Sequence, residues 1–273
     1  MPFPDVSART LRDLWSLAGK GVVVTGGAKG IGFATACRLA EAGASVLVAD
    51  RDAAAAESAS LRLQERGLSI LTEVADVSDS AAVGHLAERA IAQLPTLHGW
   101  VNNAVNYMFG RTLDLSDADW DEGMATNLRG VFLCCREAGK AMSRNSSGGV
   151  IVNVTSTEAH RGMPRSPQYI AAKHGVLGLS RTLAIELGRF GIRVLTVAPT
   201  LIDTEGMAEM VAAMGEEGRA RWSDRLPAGR LGVPDDVARV ILFALSDMSV
   251  MMTGSVLMVD GGEMTGINKM RLL

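Results

Sequence analysis

The feature that most constrains the fold is a series of seven short runs of Val, Ile and Leu, spread along the whole chain. Within each run the apolar residues occupy consecutive positions, which is typical of parallel strands covered on both faces. Ala- and Leu-rich segments of helical length lie between the runs, among them residues 31–42, 53–66 and 81–94. This repetition predicts right-handed crossovers and an α/β, doubly wound fold, with a mainly seven-stranded parallel sheet and helices on both faces. The runs are GVVVTG, ASVLVAD, LSILTEV, LHGWVNNA, GVIVNVTS, IRVLTVAP and GSVLMVDGG.

The alternation is not interrupted by a Pro- or Ser-rich linker, so we predict a single domain over residues 1–273. Residues 1–19 are expected to form an N-terminal arm whose apolar stripe docks on the protein itself. Residues 205–226 are an insertion ahead of a helix that begins near Pro234, and insertions at the carboxyl edge of a parallel sheet tend to cover a ligand. They are therefore predicted to be a substrate lid. Residues 263–273 form a C-terminal tail, which fits a contact with a neighbouring subunit and a frayed end equally well.

Charge and cysteine content narrow the possible partners. A formal net charge of -3 gives no long-range attraction to nucleic acid or an anionic membrane, which favours a small-molecule ligand. Three cysteines, Cys37, Cys134 and Cys135, fit a reducing compartment better than a disulfide framework. The histidines show no zinc-like spacing, and the charged first 20 residues resemble neither a signal peptide nor a membrane span. We expect a cytoplasmic protein with no metal site.

A glycine-rich turn follows the first predicted strand in TGGAKGIG, with Gly26, Gly30 and Gly32 ahead of a helix. Glycines let the backbone turn tightly and approach a pyrophosphate, whose charge is met by the free amides at the helix N-terminus. Alone, such a turn is also compatible with a purely structural role. The context favours a dinucleotide, because Asp50 ends the second strand 18 residues after Gly32, where a carboxylate can bind a ribose diol.

Asp50 also predicts NAD, since a carboxylate at this point repels the 2′-phosphate of NADP. Lys29 and Arg51 argue for NADP, because either cation can compensate a phosphate, although both fit equally well as solvated charges. NADP therefore stays possible. Asp76 follows the third strand and is placed to meet the adenine, with a helix N-cap as the alternative of equal weight.

Tyr169 is one of only two tyrosines and lies four residues before Lys173 in SPQYIAAKHG. In a helix this spacing puts both side chains on one face, where an ammonium can stabilise a phenolate.

Several motifs occur in a characteristic order: TGGAKGIG, NNA at 102–104, Asn127, Ser156, Tyr169 with Lys173, P-x-x-x-x-T at 199–204 and DGG at 260–262. Over roughly residues 18–262 the chain therefore resembles the short-chain dehydrogenase/reductase family in its single-domain, Rossmann-fold form. The resemblance implies an NAD(H)-dependent enzyme that interconverts a secondary alcohol and a ketone by hydride transfer.

The resemblance also implies roles for four residues. Tyr169 would be the general acid/base, and Lys173 would lower its pKa and hold the nicotinamide ribose. Ser156 would orient the substrate oxygen, and strand alternation turns the neighbouring Thr155 the other way. Asn127 would help to hold a water in a proton relay, with an ordinary helix residue as the alternative. The implied cofactor-binding set is Gly26, Lys29, Gly30, Ile31, Gly32, Asp50, Arg51, Asp76, Val77, Asn103, Ala104, Tyr169, Lys173, Pro199, Ile202 and Thr204.

Two positions depart from the family pattern. Val105 replaces the glycine of the usual NNAG, and Thr200 replaces the glycine of the usual PG after the sixth strand. Val105 adds volume beside the cofactor path, and Thr200 removes the conformational freedom of glycine. Because neither change removes a catalytic group, we expect altered local geometry and retained activity.

The substrate is only partly indicated. Glu158, His160 and Arg161 lie in the loop between Ser156 and Tyr169, where a solvated loop is favoured over substrate contacts. The insertion carries an apolar stripe at helical spacing, which consists of Met207, Met210, Val211 and Met214. Such a stripe can pack against the protein's own core or close as a lid over an apolar substrate. A small-molecule secondary alcohol or ketone with an apolar body is the expected substrate.

Two other functions remain open at this stage. The first is an NADP(H)-dependent 3-oxoacyl-thioester reductase, for which Arg129 and Arg136 are the candidate docking patch for an acidic carrier. The second is a dinucleotide-binding sensor without turnover, which the intact Ser156, Tyr169 and Lys173 disfavour. From the resemblance we also expect a homotetramer or homodimer, assembled through the helices that carry Asn127 and Tyr169.

Overall fold

The computed structural model describes residues 3–145 and 147–266, without the side chains of residues 209–211. Within these ranges it contains one parallel sheet of seven strands in the order β3-β2-β1-β4-β5-β6-β7. All seven apolar runs form strands, which confirms the doubly wound fold. The strands are β1 Gly21–Thr25, β2 Ser45–Asp50, β3 Leu71–Val74, β4 Leu97–Asn102, β5 Gly149–Val154, β6 Ile192–Pro199 and β7 Val256–Val259.

Helices fill the connections between the strands, and the three helical segments named from the sequence lie within one or two residues of their predicted bounds. The helix of the insertion, α8, is broken at Gly215, whose φ is 62°. The helices are α1 Leu11–Trp15, α2 Gly30–Glu41, α3 Ala53–Gln64, α4 Ser80–Gln93, α5 Asp117–Met124, α6 Val131–Met142, α7 Pro167–Leu187, α8 Ala208–Ser223 and α9 Pro234–Leu245. Within the described chain, no helix is both long and apolar enough to cross a bilayer.

Two hydrophobic cores lie on opposite faces of the sheet, because successive side chains of a strand point to opposite sides. In β1, Val23 packs into the core that α4, α6 and α7 cover. Its neighbours Val22 and Val24 pack into the core that α2 and α9 cover. Since both faces are buried, each strand is apolar on consecutive positions, which explains the runs in the sequence.

The segment that carries Asn127 departs from a uniform helix. Ser116 caps α5, and its Oγ accepts a hydrogen bond from the Asp119 amide at 3.1 Å, as the S-x-x-D pattern predicts. A π-helical stretch, Ala125–Gly130, then joins α5 to α6. Wider π turns often occur at functional sites, and this one lies next to the carboxyl edge of the sheet.

The described part of the N-terminal segment packs on the protein along part of its apolar stripe. Leu17 is fully buried, and the ring of Trp15 lies 6.2 Å from that of Phe243. Leu11 is 68% exposed, so it does not belong to the docked surface.

In the predicted lid, Met207 is buried and Met214 half-buried, whereas the side chains of Met210 and Val211 lie outside the described residues. Residues 267–273 of the predicted tail also lie outside them.

Candidate active site

A cavity of about 380 Å³ opens at the carboxyl edge of the sheet. Ligands of open parallel sheets bind at this edge, where the connection direction reverses. Of the residues predicted for the site, all except Gly32 and Asn127 line the cavity. Those that line it are Gly26, Lys29, Gly30, Ile31, Asp50, Arg51, Asp76, Val77, Asn103, Ala104, Ser156, Tyr169, Lys173, Pro199, Ile202 and Thr204.

The glycine-rich turn is built for close backbone approach. Gly26 and Gly30 have φ values of 60° and 53°, which L residues rarely adopt. A Cβ on Gly32 would lie 2.1 Å from the carbonyl oxygen of Gly26, which leaves no room for any other residue. The Asn103 amide closes the turn by donating to that carbonyl at 2.8 Å. The turn and the N-terminus of α2 therefore form a cradle that fits a pyrophosphate.

Asp50 sits at the end of β2 with both carboxylate oxygens held by the backbone. Its Oδ2 accepts from the Ala28 amide at 3.2 Å, and its Oδ1 accepts from the Asp52 amide at 3.1 Å. Lys29, on the glycine-rich turn, forms an ion pair with Asp52 at 3.1 Å. The charge of Lys29 is thus already met by a carboxylate.

Asp76 is not a helix N-cap, because α4 is capped by Asp79, whose carboxylate accepts from the Ala81 amide at 2.8 Å. The alternative interpretation of Asp76 is therefore wrong. Its Oδ1 accepts from the amide and the hydroxyl of Ser78 at 2.8 and 2.7 Å, and these bonds lower its pKa. Asp76 and Arg51 line the same part of the cavity.

Ser156 and Tyr169 meet at the end of β5. Both Thr155 and Ser156 line the cavity, but the Thr155 hydroxyl donates to the Val197 carbonyl at 3.2 Å, whereas the Ser156 hydroxyl meets Tyr169. Burial and then the neighbouring Tyr107 raise the pKa of Tyr169 well above its ordinary value, while a hydrogen bond with Ser156 opposes them. Tyr169 is therefore a neutral phenol unless a further positive charge approaches it.

Lys173 lies one turn further along α7, on the same face as Tyr169, as the spacing predicts. Its ammonium lies 5.5 Å from the centre of the Tyr169 ring and donates to the Val154 carbonyl at 3.0 Å. The residue is only 3% exposed, and burial lowers the pKa of Lys173 from 10.5 to about 8. Lys173 can therefore change protonation state within the ordinary working range of an enzyme.

Asn127 lies behind the cavity wall and not in it. Its Nδ2 donates to the carbonyl of Asn106 at 2.8 Å, and its Oδ1 accepts from the amide of the same residue at 2.9 Å. Both bonds fix the backbone that leads directly to Tyr107. Asn127 is 1% exposed, so it is more than an ordinary helix residue, and the bonds observed here are structural.

Tyr107 was missed from the sequence, although it is the only other tyrosine in the chain. Its ring lies 5.3 Å from that of Tyr169 at an interplanar angle of 30°. It is followed by Met108 and Phe109, which also line the cavity, as does Trp222 of α8. The end of the cavity beyond Tyr169 is therefore largely apolar.

The prediction that the loop after Ser156 is solvated holds for His160 but is wrong for its neighbours. Glu158 is 8% exposed, and Arg161 bridges it to Glu263, with Nη2–Oε1 distances of 2.8 and 2.6 Å. Thr200 donates to Glu263 at 2.6 Å. Among the described residues other than glycine, only Arg165 has a positive φ, so neither Val105 nor Thr200 occupies a backbone conformation that requires glycine.

Comparison with known proteins points to one family. A family model described as enoyl-(acyl carrier protein) reductase matches residues 26–263. Galactitol 2-dehydrogenase of Rhizobium johnstonii is 41% identical over 254 residues, which cover 90% of this chain and 95% of that protein. The crystal structure of a short-chain type dehydrogenase/reductase from Mycobacterium marinum is 31% identical with a TM-score of 0.88, covering 94% of this chain and 100% of that one. An NAD(P)-dependent gluconate 5-dehydrogenase structure from Beutenbergia cavernae, with NADP bound at low occupancy, is 34% identical with a TM-score of 0.87, covering 93% and 100%.

Proposed function

Because this chain belongs to the short-chain dehydrogenase/reductase family, we propose that it is an NAD(H)-dependent enzyme that interconverts a secondary alcohol and a ketone. The observation that carries the proposal is the convergence of Ser156, Tyr169 and Lys173 at the end of one cavity whose other end is a glycine-rich phosphate cradle. The carbonyl-reacting groups and the dinucleotide-binding groups thus share one site.

In this proposal Tyr169 moves the proton. During alcohol oxidation its phenolate takes the hydroxyl proton of the substrate, and during ketone reduction its phenol returns a proton to the developing alkoxide. Ser156 donates a hydrogen bond to the same substrate oxygen and stabilises the charge that builds up there. The nicotinamide of a bound cofactor supplies the hydride acceptor or donor.

The protein has to lower the pKa of Tyr169, since burial raises it in the absence of other charges. Lys173 is the described cation nearest to that ring, at 5.5 Å from its centre. A protonated Lys173 favours the phenolate, because an opposite charge at this distance stabilises the charged form. We assign Asn127 a supporting role, in which it fixes the loop that leads to Tyr107.

The arrangement around Asp50 favours NAD over NADP. A carboxylate at the ribose position repels a 2′-phosphate. Lys29 offsets this effect less than its position suggests, because it forms an exposed ion pair with Asp52 at 3.1 Å. Arg51 stands near Asp76, whose pKa it helps to lower. The relative solved with NADP shows that the fold also accepts the phosphorylated cofactor, so both nucleotides belong in the assay.

We propose that residues 205–226 act as a lid within a single domain. Met207 and Trp222, from the two ends of this segment, line the cavity. Gly215 interrupts α8 between them with a φ of 62°, which gives the segment a natural point of bending.

The alternative activity, reduction of 3-oxoacyl thioesters with NADPH, is consistent with the description of the family model. Its proposed docking patch is less suitable than the sequence suggested. Arg129 donates to the Ser78 carbonyl at 2.6 Å, and Arg136 pairs with Glu137 at 2.7 Å. Both cations are therefore engaged within the protein.

We further propose that copies of the chain associate through α6 and α7. These helices expose Phe132 and Ile185, the latter to 83%, while their other apolar side chains pack in the core. Light scattering of the purified protein would distinguish a tetramer or dimer from a monomer.

The experiment for the proposed function measures oxidation of NADH and of NADPH with cyclic ketones, aryl ketones, sugars and 3-oxoacyl thioesters, and the reverse reactions with the alcohols. Turnover with NADH on a ketone supports the proposal. Turnover confined to NADPH and thioesters would replace it with the alternative. Cofactor binding without any turnover would leave the sensor role in its place.

A further inference from the structure

A polar wall stands beside the reacting groups in an otherwise apolar end of the cavity. It consists of Glu158 and Arg161 from the turn after β5, supported from behind by Glu263 and Thr200. We propose that this Glu158–Arg161 wall binds a second hydroxyl group of the substrate, so that the enzyme acts on alicyclic diols or the matching hydroxyketones. The inference rests on the proposed function and specifies its substrate class.

The carboxylate of Glu158 has a hydrogen-bond partner on one oxygen and none on the other. The Oε1 atom of Glu158 accepts from Nε and Nη2 of Arg161 at 3.3 and 2.8 Å. Its Oε2 atom is buried and has no hydrogen-bond partner among the described residues. A buried charged acceptor without a partner costs about 1–3 kcal/mol or more. Glu158 lines the cavity, so a turn of its carboxylate toward the cavity would expose Oε2, which has almost no accessible surface, to a donor group of a ligand.

The neighbouring carboxylate, that of Glu263, has hydrogen-bond partners on both oxygens. Its Oε2 accepts from the hydroxyls of Thr200 and Thr157 at 2.6 and 3.3 Å, and its Oε1 accepts from Arg161 at 2.6 Å. Thr200, which replaces the family's usual glycine, is one of these donors. Of the two buried carboxylates at this wall, only Glu158 keeps an oxygen for a ligand.

The charges of the wall decide which donor fits. An anionic group is excluded, because it would place a second acceptor against the Glu158 carboxylate and because Arg161 already has two carboxylate partners. An ammonium group is disfavoured by the adjacent guanidinium. A hydroxyl fits both partners, since it can donate to Glu158 Oε2 and accept from Arg161, whose hydrogen bonds in the described chain use only Nε and Nη2.

The rest of this end of the cavity indicates the body of the substrate. Tyr107, Phe109, Met163, Leu201 and Trp222 also line the cavity, and they offer apolar surface to a ring. An open-chain polyol would bury several further hydroxyls against these side chains without partners, at a cost for each. A ring that carries one reacting and one bound hydroxyl matches both surfaces. The second hydroxyl takes no part in the reaction, which moves a hydride to the nicotinamide and a proton to Tyr169.

The test compares kcat/KM for cyclohexanol, the positional and stereoisomers of cyclohexanediol, and open-chain polyols, each with NAD, in wild type and Glu158→Gln. We expect the kcat/KM of the wild type for at least one cyclohexanediol to exceed that for cyclohexanol by about 10- to 100-fold, because the second hydroxyl gives the unpaired oxygen of Glu158 a hydrogen bond. In Glu158→Gln this ratio falls at least about tenfold. Both substrates react in the same preparation and at the same pH, so the ratio is unaffected by the active fraction or by the influence of Glu158 on Tyr169.

The matched control is Glu57→Gln on the exposed side of α3, which should keep the wild-type ratio. A ratio near one in the wild type, an unchanged ratio in Glu158→Gln, or a preference for open-chain polyols would overturn the inference while leaving the dehydrogenase assignment in place. Failure of the proposed function looks different, because then neither cyclohexanol nor any diol would be oxidised.

Discussion

Lys173 is buried with its charge, so we expect it to lower the free energy of unfolding of the protein. Replacing Lys173 by Met keeps most of the volume of the side chain and removes the ammonium. In the folded protein, burial lowers the pKa of Lys173 from 10.5 to about 8. Since one pKa unit corresponds to about 1.4 kcal/mol, keeping this lysine charged costs the folded state about 3 kcal/mol at neutral pH. The Met variant also loses the hydrogen bond to the Val154 carbonyl, which offsets about 1 kcal/mol of the stability gained by removing the charge.

Lys173→Met should therefore be more stable than the wild type by about 2 kcal/mol at pH 7, which corresponds to a Tm about 4–8 °C higher for a domain of this size. The sign depends on pH. Between the folded pKa of about 8 and the unfolded value of 10.5, the unfolded chain binds more protons, so the wild type gains stability as pH rises. The advantage of the variant should be full below pH 8, reach zero at about pH 10 and be reversed at pH 10.5, where the lost hydrogen bond outweighs the remaining cost of the charge.

The assay is thermal and denaturant unfolding without cofactor, at pH 7 and in steps up to about pH 10.5, alongside Lys140→Met. Lys140 is an exposed lysine on α6 whose ion pair with Glu137 contributes little. The reasoning fails if Lys173→Met is no more stable than the wild type at pH 7, or if its advantage is the same at both ends of the range. Lys173→Met should also lose most turnover, because the cation that favours the Tyr169 phenolate is gone.

Three further variants test separate parts of the structure. Asp50→Ala should reduce the preference for NADH over NADPH by about tenfold, measured as the ratio of kcat/KM values, because about 1.4 kcal/mol of repulsion against the 2′-phosphate is lost; an unchanged ratio removes Asp50 from the cofactor argument. Gly32→Ala should weaken NADH binding by at least about 100-fold in a fluorescence titration, because the added Cβ would lie 2.1 Å from the Gly26 carbonyl oxygen. The control Gly84→Ala has open space around its Cβ and should bind NADH normally. Equal binding by the two variants would contradict the pyrophosphate cradle. Arg193→Ala should lower the free energy of unfolding by about 1–3 kcal/mol, because the cavity and the unpaired Ser246 and Ser249 carbonyls cost more than the desolvation, which lowers the pKa of Arg193 to about 10, gives back. An unchanged or higher free energy in denaturant unfolding would argue against that network.

Much of the framework could be predicted because it depends on local patterns. A strand buried on both faces must be apolar at consecutive positions, so the runs that became β1 and β5 could be recognised without any knowledge of their neighbours. The same holds for the Tyr169–Lys173 spacing, which a helix places on one face, one turn apart. The π-helical stretch Ala125–Gly130 was not predictable, because it differs from an α-helix by its hydrogen bonding and not by a residue pattern.

The parts of the site that were missed depend on contacts between distant residues. Glu158 and Arg161 looked solvated because Glu263, the second carboxylate that Arg161 binds, lies about 100 positions away in the sequence. Thr200 looked like a mere departure from the family pattern, and its hydrogen bond to Glu263 gives it a role. The N-cap of α4 fell on Asp79 and not on Asp76, since the boundary of a helix is settled within a residue or two only by the packed structure.

The proposal that Tyr169 exchanges the proton with the substrate oxygen can be tested with Tyr169→Phe. The measurement is a pair of values on one preparation: the dissociation constant of NADH by fluorescence, and kcat on the best ketone found for the wild type. The account predicts wild-type cofactor binding with kcat reduced by at least about 100-fold, because the ring is kept and only the acid/base hydroxyl is removed. A variant that binds NADH and turns over the ketone at the wild-type rate would contradict the account.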